Sequence, residues 1–419
     1  MLDLKLLRER PEAVRDALAR RGDEALLHDV MAADERRRKI VHQVELKQQE
    51  HNQRSKQIGK ALADDRPALL DEAKRLKSEI EALDPQVKEA EEQLDMVLAR
   101  VPNLPHESVP TGISDDDNVE LRRWGAPTER PDTRDHLDIG RELGVIDTER
   151  AAWTSGSRFG YLLGGLVHLE FALVRYAMDR LEPHGFTPVI PPVLVRREAM
   201  FGAGALPGDD AQYYVVQDGL YLTGTSEQAL AAIHAEEELE AGDLPIRYMA
   251  FSSCFRREAG AYGRDTRGIF RVHQFDKVEM FSFAHPDHSW DEHGFLVARQ
   301  EELLQSLGLP YRAMNVCTGE LGAPAAKKID LEAWFPGQRR YREVMSCSNC
   351  TDFQARRLKV RMKGPGGKRI LHTLNGTAFA IGRTIAAIME NYQEPSGAVV
   401  IPEPLRPYMP AGLSRIDRR

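Results

Sequence analysis

The chain has 419 residues, of which 42% are hydrophobic and 29% are charged, and its formal net charge is −8. This length allows one large domain with an accessory one. The acidic balance argues against indiscriminate binding of nucleic acids, and four cysteines in so long a chain argue against a disulfide framework. The first residues, MLDLKLLRERPEAVRDALARR, lack the apolar core of a signal peptide, so we expect a cytoplasmic protein.

Residues 31 to 101 predict a long arm of two antiparallel helices. In the second half, apolar residues recur at spacings of four and three, which is the heptad seam of a coiled coil. This seam comprises Leu69, Ala73, Leu76, Ile80, Leu83, Val87, Ala90, Leu94 and Val97. A weaker seam precedes it and comprises Ile40, Val44, His51, Ile58 and Leu62. The stretch ADDRP between the two seams predicts a turn, and Pro85 should kink or break the second helix.

Charge divides between these two predicted helices. Residues 36–60 contain eight Lys or Arg and two Glu, whereas residues 64–95 contain eleven acidic and five basic residues. One interpretation is a helical pair matched in charge. The other is that the basic helix faces a phosphate backbone. The charge pattern leaves both interpretations open.

The remainder of the chain divides into a linker and a mixed domain. Residues 102–135 are rich in proline and acidic residues, which predicts a linker between an N-terminal domain (1–101) and a larger domain (136–419). Strand-like and helical stretches alternate in the larger domain, which is typical of an α+β fold. Its most apolar stretch, residues 160–178, is interrupted by His168, Glu170 and Arg175, so we expect a buried helix and no membrane contact.

A stretch rich in arginine, FRREAGAYGRDTRGIFRVHQFDKVEMF (residues 255–281), predicts an anion-binding hairpin. Two strand-like runs flank its loop, and the arginines are Arg256, Arg257, Arg264, Arg267 and Arg271. Arg256 can neutralise a phosphoryl group by bidentate contact, while Arg267 and Arg271 could follow the rest of a triphosphate. Glu258 can accept hydrogen bonds from an amine such as that of adenine, and Phe275 offers a face for a base. A salt-bridged surface hairpin explains the charge equally well.

Two other patterns suggest metal ligands but favour structural interpretations. Cys347 and Cys350 have the spacing of a zinc knuckle or a redox pair, but no second pair follows, so we expect no structural zinc. In HPDHSWDEH (residues 285–293), Ser289 and Glu292 fit a capping box that opens a helix.

Taken together, several stretches resemble the seryl-tRNA synthetase family of class II aminoacyl-tRNA synthetases, of bacterial type. The arginine hairpin, FRRE…GRDTRG…RVHQFDKVE, is similar to the second class motif. HGFTPVIPP (residues 184–192) is similar to the first motif, and TLNGTAFAIGRTIAAIMENYQ (residues 373–393) to the third. LTGTSEQAL and REVMSCSNCTDFQARR are similar to stretches peculiar to seryl enzymes. The resemblance covers the whole chain, the arm included.

The resemblance implies a fold and a reaction. The fold would be α+β, with a class II catalytic domain built on an antiparallel sheet flanked by helices and an N-terminal coiled-coil hairpin arm. The reaction would be ATP-dependent activation of L-serine to seryl-adenylate, with no covalent enzyme intermediate, followed by transfer of the seryl group to the 3′ end of tRNA(Ser). The family also serylates tRNA(Sec) where that tRNA exists.

The same resemblance implies roles for individual residues. Arg256 would hold the α-phosphate and Arg383 would stack on adenine opposite Phe275, which makes the two arginines the expected catalytic residues. Glu343 and Ser346 match the family's Mg²⁺ positions. The implied ATP-binding residues are Arg256, Arg257, Glu258, Arg271, Val272, Phe275, Glu343, Val344, Met345, Ser346 and Arg383. The implied serine-binding residues are Thr225, Ser226, Glu227, Arg256, Glu279, Asn375 and Thr377.

Within the serine site, Glu227 would face the α-ammonium group, and Glu279 with Thr377 would bind the hydroxyl group, which rejects alanine. The chain ends soon after Arg383, so we expect the N-terminal arm to bind the tRNA, and the resemblance implies contact with its long variable arm through shape and backbone. The basic first helix is the expected contact surface. The first motif implies a homodimer interface near Gly185–Pro192.

Two rival functions are considered beside this one. A synthetase-like enzyme that loads a carrier protein or a peptide is expected to lack the arm, which this chain has. A catalytically inactive tRNA-binding paralogue is expected to have lost one of the key side chains. All of these are present, namely Arg256, Glu258, Glu279, Glu343 and Arg383.

Overall fold

The computed structural model describes residues 1–127, 131–208, 210–259 and 267–418. The chain separates into two units, of which one is Leu2–Pro102 and the other is Asn103–Arg419 together with Met1. The helices are α1 (Leu4–Glu9), α2 (Pro11–Ala19), α3 (Ala25–Ile58), α4 (Arg66–Arg100), α5 (His136–Leu143), α6 (Thr148–Ser155), α7 (Gly165–Leu181), α8 (Arg197–Ala203), α9 (Glu227–Ala231), α10 (Ser289–Ser306), α11 (Phe353–Leu358) and α12 (Ile381–Asn391).

The strands are β1 (Val119–Trp124), β2 (Ile146–Asp147), β3 (Tyr161–Leu162), β4 (Phe186–Val189), β5 (Leu194–Val195), β6 (Tyr221–Leu222), β7 (Glu238–Glu240), β8 (Ile246–Phe255), β9 (Gln274–Ala284), β10 (Tyr311–Asn315), β11 (Lys327–Phe335), β12 (Arg340–Asn349), β13 (Arg361–Gly364), β14 (Gly367–Ile370), β15 (His372–Ala380), β16 (Val399–Val400) and β17 (Arg415–Ile416). In the described part of the chain, no helix is both long and apolar enough to cross a membrane.

Helices α3 and α4 form the predicted helical hairpin. Every residue of the predicted seam in α4 is buried or half-buried, because the heptad spacing keeps these side chains on the face that packs against α3. Leu62 was wrongly assigned to the first seam. Helix α3 ends at Ile58, and Leu62 lies in the following turn with 77% of its surface exposed. Helix α4 runs through Pro85 without a break.

The opposite charges of α3 and α4 meet in ion pairs. Four cations of α3 lie within 4 Å of carboxylates of α4, in the pairs Arg36–Glu89, Arg37–Glu91, Lys47–Glu79 and Arg54–Glu72. Arg38 and Lys56 are exposed and have no such partner among the described residues. The pairing supports a helical pair matched in charge, but it leaves these two cations available to other partners.

An eight-stranded sheet organises the larger unit, in the order β1-β10-β11-β12-β15-β9-β8-β4. Every neighbouring pair is antiparallel except β4 and β8, which are parallel at one edge. The other edge is β1, which lies within residues 102–135. The stretch expected to be a linker therefore contributes a strand that pairs with β10, from Val119 opposite Asn315 to Trp124 opposite Tyr311.

Strand β9 shows how the sheet separates its core from its polar face. Val278 and Met280 pack into a large apolar cluster with residues of α7, α10 and α12. Phe281 and Phe283 point to the other face, where they pack with residues of α9 and α11. Because side chains alternate along a strand, Glu279 belongs to the second face. The two aromatic side chains thus close one end of the face on which Glu279 lies.

The start of α10 differs from the expected capping box. Ser289 is the first residue of α10 and not its N-cap, which is His288. The Ser289 hydroxyl group hydrogen-bonds His372 Nδ1 at 2.7 Å, and Glu292 receives two hydrogen bonds from Arg247. The capping-box prediction was wrong because tertiary partners on β15 and β8 compete successfully for both side chains.

Candidate active site

A cavity of about 480 Å³ opens on the polar face of the sheet. Strands β9, β15, β12 and β11, which are neighbours in the sheet, supply its floor, and the segments around β8 and α12 supply its walls. Most of the residues expected to bind substrate line this cavity, namely Thr225, Glu227, Arg256, Glu258, Arg271, Val272, Phe275, Glu279, Glu343, Val344, Ser346, Asn375, Thr377 and Arg383. The fold therefore brings together side chains that are up to 158 positions apart in the numbering, from Thr225 to Arg383.

The two residues expected to bind a hydroxyl group form a cross-strand pair. Glu279 on β9 and Thr377 on β15 lie directly opposite each other. The Thr377 Oγ1 is 3.5 Å from the Glu279 Oε2, and both residues are more than nine-tenths buried. A carboxylate beside a threonine hydroxyl group can accept and donate hydrogen bonds at the same point, which suits a small alcohol.

Lys277 lies beside Glu279, although it was not among the residues predicted from the sequence. Its Nζ donates a 2.6 Å hydrogen bond to the Thr225 Oγ1 and forms an ion pair with the Glu279 carboxylate. Lys277 is only 6% exposed. A signal for it was present in the sequence, because Lys277 stands midway between Phe275 and Glu279 at the period of two that places all three on one face of a strand.

Glu227 lies at the beginning of α9 and supplies a second carboxylate. Its Oε1 accepts hydrogen bonds from Gln354 Nε2 at 2.7 Å and from Asn375 Nδ2 at 3.0 Å. Burial, together with the negative charge of Glu279, raises the pKa of Glu227 to about 7. A cationic ligand beside Glu227 would offset both effects, so this part of the cavity favours an ammonium group.

Arg256 lies just beyond the end of β8. Its Nε donates a hydrogen bond to the Gly224 carbonyl oxygen at 3.0 Å, and its guanidinium carbon is 5.3 Å from the centre of the Phe275 ring. The carbonyl contact and the ring fix the orientation of the guanidinium group and leave its other nitrogens as donors. Such a fork suits a phosphoryl or carboxylate group.

Glu258 is held in an uncommon backbone conformation, with φ at +51°. Arg271 Nη1 donates a 2.7 Å hydrogen bond to the Glu258 Oε2 and so fixes the side chain at the cavity wall. This ion pair holds an acceptor carboxylate in the cavity that Phe275 also lines, and the combination suits a flat base that carries an amine.

Arg383 and Glu343 form an ion pair in the cavity lining. Arg383 Nη1 lies 3.0 Å from the Glu343 carbonyl oxygen and 3.2 Å from its Oε2. The Arg383 guanidinium carbon is also 4.7 Å from the centre of the Phe270 ring. Burial alone would raise the pKa of Glu343, but the cations Arg383, Lys328 and Arg256 outweigh burial and lower it. Glu343 therefore stays ionised.

Several predicted residues lie elsewhere. Ser226 and Met345 are buried and do not line the cavity, and Arg257 lies over the Tyr214 ring at 5.9 Å. Arg267, which we expected to follow a triphosphate, pairs instead with Asp138 of α5 at 2.9 Å. Arg264 falls outside the described residues.

The Glu343 carboxylate and the Ser346 hydroxyl group are oxygen ligands that could bind a metal ion. Ser346 lies three residues after Glu343 on β12, and both line the cavity. Among the residues that the structure describes, no three His, Cys, Asp or Glu side chains are grouped so as to hold a metal ion by themselves. A hard cation at Glu343 and Ser346 would need further oxygens, which a polyphosphate ligand can provide.

Two family models match the chain. One is described as "tRNA synthetase class II core domain (G, H, P, S and T)" and matches residues 213–392. The other is described as "Seryl-tRNA synthetase N-terminal domain" and matches residues 1–105. The first match contains the cavity floor, and the second contains both arm helices.

Full-length relatives and solved structures agree with these matches. The chain is 45% identical to a serine–tRNA ligase from Nitratidesulfovibrio vulgaris, over 99% of this chain and 100% of that protein. It is similar to the structure of seryl-tRNA synthetase from Pyrococcus horikoshii complexed with ATP, with a TM-score of 0.95 and 42% identity over 100% of both chains. Its similarity to the cytoplasmic serine–tRNA ligase from Naegleria fowleri in complex with AMP has a TM-score of 0.90 and 38% identity, over 100% of this chain and 99% of that one.

Proposed function

The chain belongs to the seryl-tRNA synthetase family, and from this premise we propose that it activates L-serine with ATP and transfers the seryl group to the 3′ end of tRNA(Ser). The observation that carries the proposal is one cavity lined by two kinds of group. Its lining includes the carboxylates of Glu227 and Glu279 with the Thr377 hydroxyl group, and it also includes the Phe275 ring with three arginines, namely Arg256, Arg271 and Arg383. A zwitterionic amino acid and a nucleotide fit side by side in such a cavity.

Serine binds beside these carboxylates. Its α-ammonium group faces Glu227, with Thr225 beside it, and its hydroxyl group hydrogen-bonds Glu279 and Thr377. Asn375 orients the Glu227 carboxylate through its 3.0 Å hydrogen bond. Alanine binds poorly because the buried polar groups around Glu279 would have no partner.

ATP binds beside these arginines. The base stacks on Phe275 with Arg383 on its other side, and its amine donates to Glu258. Arg271 fixes Glu258 and lies near the phosphates. The backbone around Val272 and around Val344 and Met345 completes the nucleotide site, and Arg257 contributes from outside the cavity wall.

Catalysis follows from positioning and charge. A serine carboxylate oxygen attacks the α-phosphorus, the bond to the diphosphate leaving group breaks, and Arg256 neutralises the charge that develops on the α-phosphate oxygens. Arg256 is suited to this role because the Gly224 carbonyl oxygen and the Phe275 ring already orient its guanidinium group in the cavity lining. A hydroxyl group of the terminal ribose of the tRNA then attacks the seryl carbonyl carbon and AMP departs, with no covalent enzyme intermediate.

The residues at Glu343 and Ser346 fit Mg²⁺. An ionised carboxylate and a hydroxyl oxygen are ligands that this hard cation prefers, and the remaining ligands would come from phosphates and water. When bound, Mg²⁺ neutralises phosphate charge. Glu343 and Ser346 would hold it, and Arg383 keeps the Glu343 carboxylate in place through the 3.2 Å contact. We assign no zinc to the chain.

The arm of α3 and α4 binds tRNA(Ser) at its long variable arm, through shape and phosphate contacts. The match of residues 1–105 to the N-terminal family model supports this assignment. We retain the boundaries 1–101 for the tRNA-binding domain, 102–135 for the connection and 136–419 for the catalytic domain as part of the proposal. A tRNA(Sec) with the same long arm is a second substrate.

The enzyme works as a homodimer in the cytoplasm. The stretch Gly185–Pro192 includes Ile190, which is 83% exposed, and Phe171 on the preceding helix α7 is 60% exposed. Large exposed apolar side chains favour a protein partner, here a second copy of the chain. All four cysteines are free and buried, which suits a reducing compartment.

The direct test is amino-acid-dependent exchange of pyrophosphate into ATP, with serine, threonine, alanine, cysteine and glycine assayed in parallel. Exchange driven by serine alone is the expected result. If the folded protein supports exchange with none of them, the inactive tRNA-binding paralogue becomes the better explanation. If exchange occurs but tRNA(Ser) is never charged, the enzyme loads another acceptor.

A further inference from the structure

The aspartate at position 330 is placed directly beside the residues assigned to Mg²⁺. In the pairing of β11 with β12, Asp330 lies opposite Ser346, and Lys328 lies opposite Ser348. Directly opposed residues of an antiparallel pair carry their side chains on the same face, about 5 Å apart at Cβ. Asp330 therefore shares the face of the sheet on which Ser346 lines the cavity.

One oxygen of the Asp330 carboxylate has no partner among the residues that the structure describes. The residue is only 7% exposed, and this oxygen, Oδ1, is buried without a hydrogen bond. Its Oδ2 lies 3.8 Å from Lys328 Nζ, which compensates its charge but does not satisfy Oδ1. A buried acceptor without a donor is costly, so its retention calls for an explanation.

The chemistry of Ser346 explains why a buried acceptor oxygen is retained at Asp330. A serine hydroxyl group that ligates a cation must turn its proton away from the ion, and that proton then needs an acceptor. The Ser346 hydroxyl group makes no hydrogen bond to any described residue. Asp330 offers an unpaired acceptor oxygen on the neighbouring strand, on the same face.

We propose that Asp330 positions Ser346 for cation binding by accepting the hydrogen bond of its hydroxyl proton, so that a lone pair of Ser346 Oγ faces the ion. This inference rests on the Mg²⁺ site of the proposed function and adds to it a residue that acts through Ser346. Asp330 is a positioning residue, because Glu343 and Ser346 line the cavity and Asp330 lies behind that lining. Groups that orient a metal ligand typically contribute a factor of about 10–100 in metal affinity.

The test measures Mn²⁺ binding and does not depend on turnover. Mn²⁺ is titrated into the full-length protein with a non-hydrolysable ATP analogue, and free Mn²⁺ is followed by electron paramagnetic resonance. We expect Asp330→Ala and Ser346→Ala each to weaken Mn²⁺ binding about tenfold. The double variant should bind no more weakly than Ser346→Ala, because Asp330 acts through that hydroxyl group. Asp330→Asn keeps an acceptor and should recover part of the loss.

Controls separate this inference from the proposed function. Glu120→Ala removes a carboxylate of the edge strand β1, which is ion-paired with Arg123 at 2.7 Å and lies three strands from β12 in the sheet order, and should leave Mn²⁺ binding unchanged. The inference about Asp330 would be overturned if Asp330→Ala bound Mn²⁺ normally, or if the double variant lost the product of the two single losses. In either case, weak Mn²⁺ binding by Glu343→Gln would still support the metal site. Normal binding by both Glu343→Gln and Ser346→Ala would overturn the metal site itself. If Asp330→Ala does not fold, Asp330→Leu, close to aspartate in shape and without an acceptor, replaces it.

Discussion

Thr377 and Glu279 face each other across strands β15 and β9, with 3.5 Å between the Thr377 Oγ1 and the Glu279 Oε2. The two strands are hydrogen-bonded neighbours, so the separation of these groups is set by the sheet and not by a loop. Lys277, on the same face of β9, adds an ion pair to Glu279. A hydroxyl group bound here meets donors and acceptors that are already in position.

The first prediction concerns this pair. Thr377→Val removes one hydroxyl group and keeps the shape of the side chain, so serine activation should fall about tenfold in kcat/KM, as expected for about 1.4 kcal/mol of hydrogen bonding. Activation of alanine should not fall, so the preference for serine over alanine shrinks. Pyrophosphate exchange with both amino acids measures this.

Thr384→Val is the matched control, because within the described chain its buried hydroxyl group bonds only the carbonyl oxygen of Ala380, the residue just before α12. It should leave the serine preference intact. If Thr377→Val kept the full preference for serine over alanine, Thr377 would not be a residue that binds the serine hydroxyl group.

The second prediction is a pH dependence of serine binding. The pKa of Glu227 is raised to about 7, and serine requires its ionised form to pair with the ammonium group. Below pH 7, binding must displace a proton from Glu227, so serine affinity should fall by up to about tenfold per pH unit. Above pH 7.5 the affinity should level off. Calorimetric titration of serine between pH 6 and 8 measures both the fall in affinity at low pH and the plateau at high pH.

Glu227→Gln cannot titrate and should bind serine weakly with a flat profile over this range. An unaltered slope in this variant would assign the titration to another group.

The third prediction concerns Arg256. Arg256→Lys keeps a positive charge but loses the planar fork, so formation of seryl-adenylate should fall by about 100- to 1,000-fold. Single-turnover assays of adenylate formation separate this loss from any change in the KM for ATP. Arg369→Lys is the control, since Arg369 is a surface residue that pairs with Asp287. Near-normal adenylate formation by Arg256→Lys would show that the Arg256 guanidinium group does not stabilise the α-phosphate.

The fourth prediction concerns the arm. Arg38 and Lys56 are the α3 lysine and arginine residues with no carboxylate partner on either helix among the described residues, so replacing both by Ala should raise the KM for tRNA(Ser) and reduce the salt dependence of its binding by about two phosphate contacts. Serine-dependent pyrophosphate exchange should stay normal. Aminoacylation at several salt concentrations provides the measurement.

The control for the arm removes the same charge from the other helix. Arg75 and Lys77 on α4 are exposed, and their ion pairs among the described residues are with Glu79 and Glu81 of the same helix. Replacing both by Ala should change tRNA binding much less. Equal losses in the two double variants would mean that overall charge, and not the α3 surface, governs binding.

The fifth prediction concerns assembly. Ile190→Glu places a charge in the proposed interface, which an apolar contact does not tolerate, so sedimentation should shift from dimer towards monomer. Ile113→Glu is the matched control, because Ile113 is 86% exposed and lies outside the interface stretch. A dimer that survives Ile190→Glu at micromolar concentration would place the interface elsewhere.

Family, fold class and reaction were predictable from the sequence because short motifs carried them, and the family matches and full-length relatives confirm them. The heptad seam likewise identified the α4 packing face. Leu62 was misassigned because a periodic pattern does not say where a helix stops. Ser289 was misassigned because its partner, His372, is distant in the chain and invisible to a local capping rule.

Side chains that act through others were the hardest to predict. Lys277 had a period-two signal, but a lysine beside a glutamate on a strand is also ordinary surface chemistry. Asp330 had no local signal, because its significance comes from the register of β11 against β12. The roles assigned to individual site residues, and the domain boundaries, remain predictions that the experiments above address.

The placement of Glu279 and Thr377 on adjacent strands limits which changes of chain length the protein can tolerate. A single inserted or deleted codon within β9 or β15 would turn every later side chain of that strand to the opposite face, moving Glu279 or Thr377 into the apolar core. Surface connections such as the β13–β14 turn carry no such constraint. Insertions and deletions that leave the protein functional should therefore occur in the turns and loops between strands. Libraries of variants that differ in chain length need not change β9 or β15.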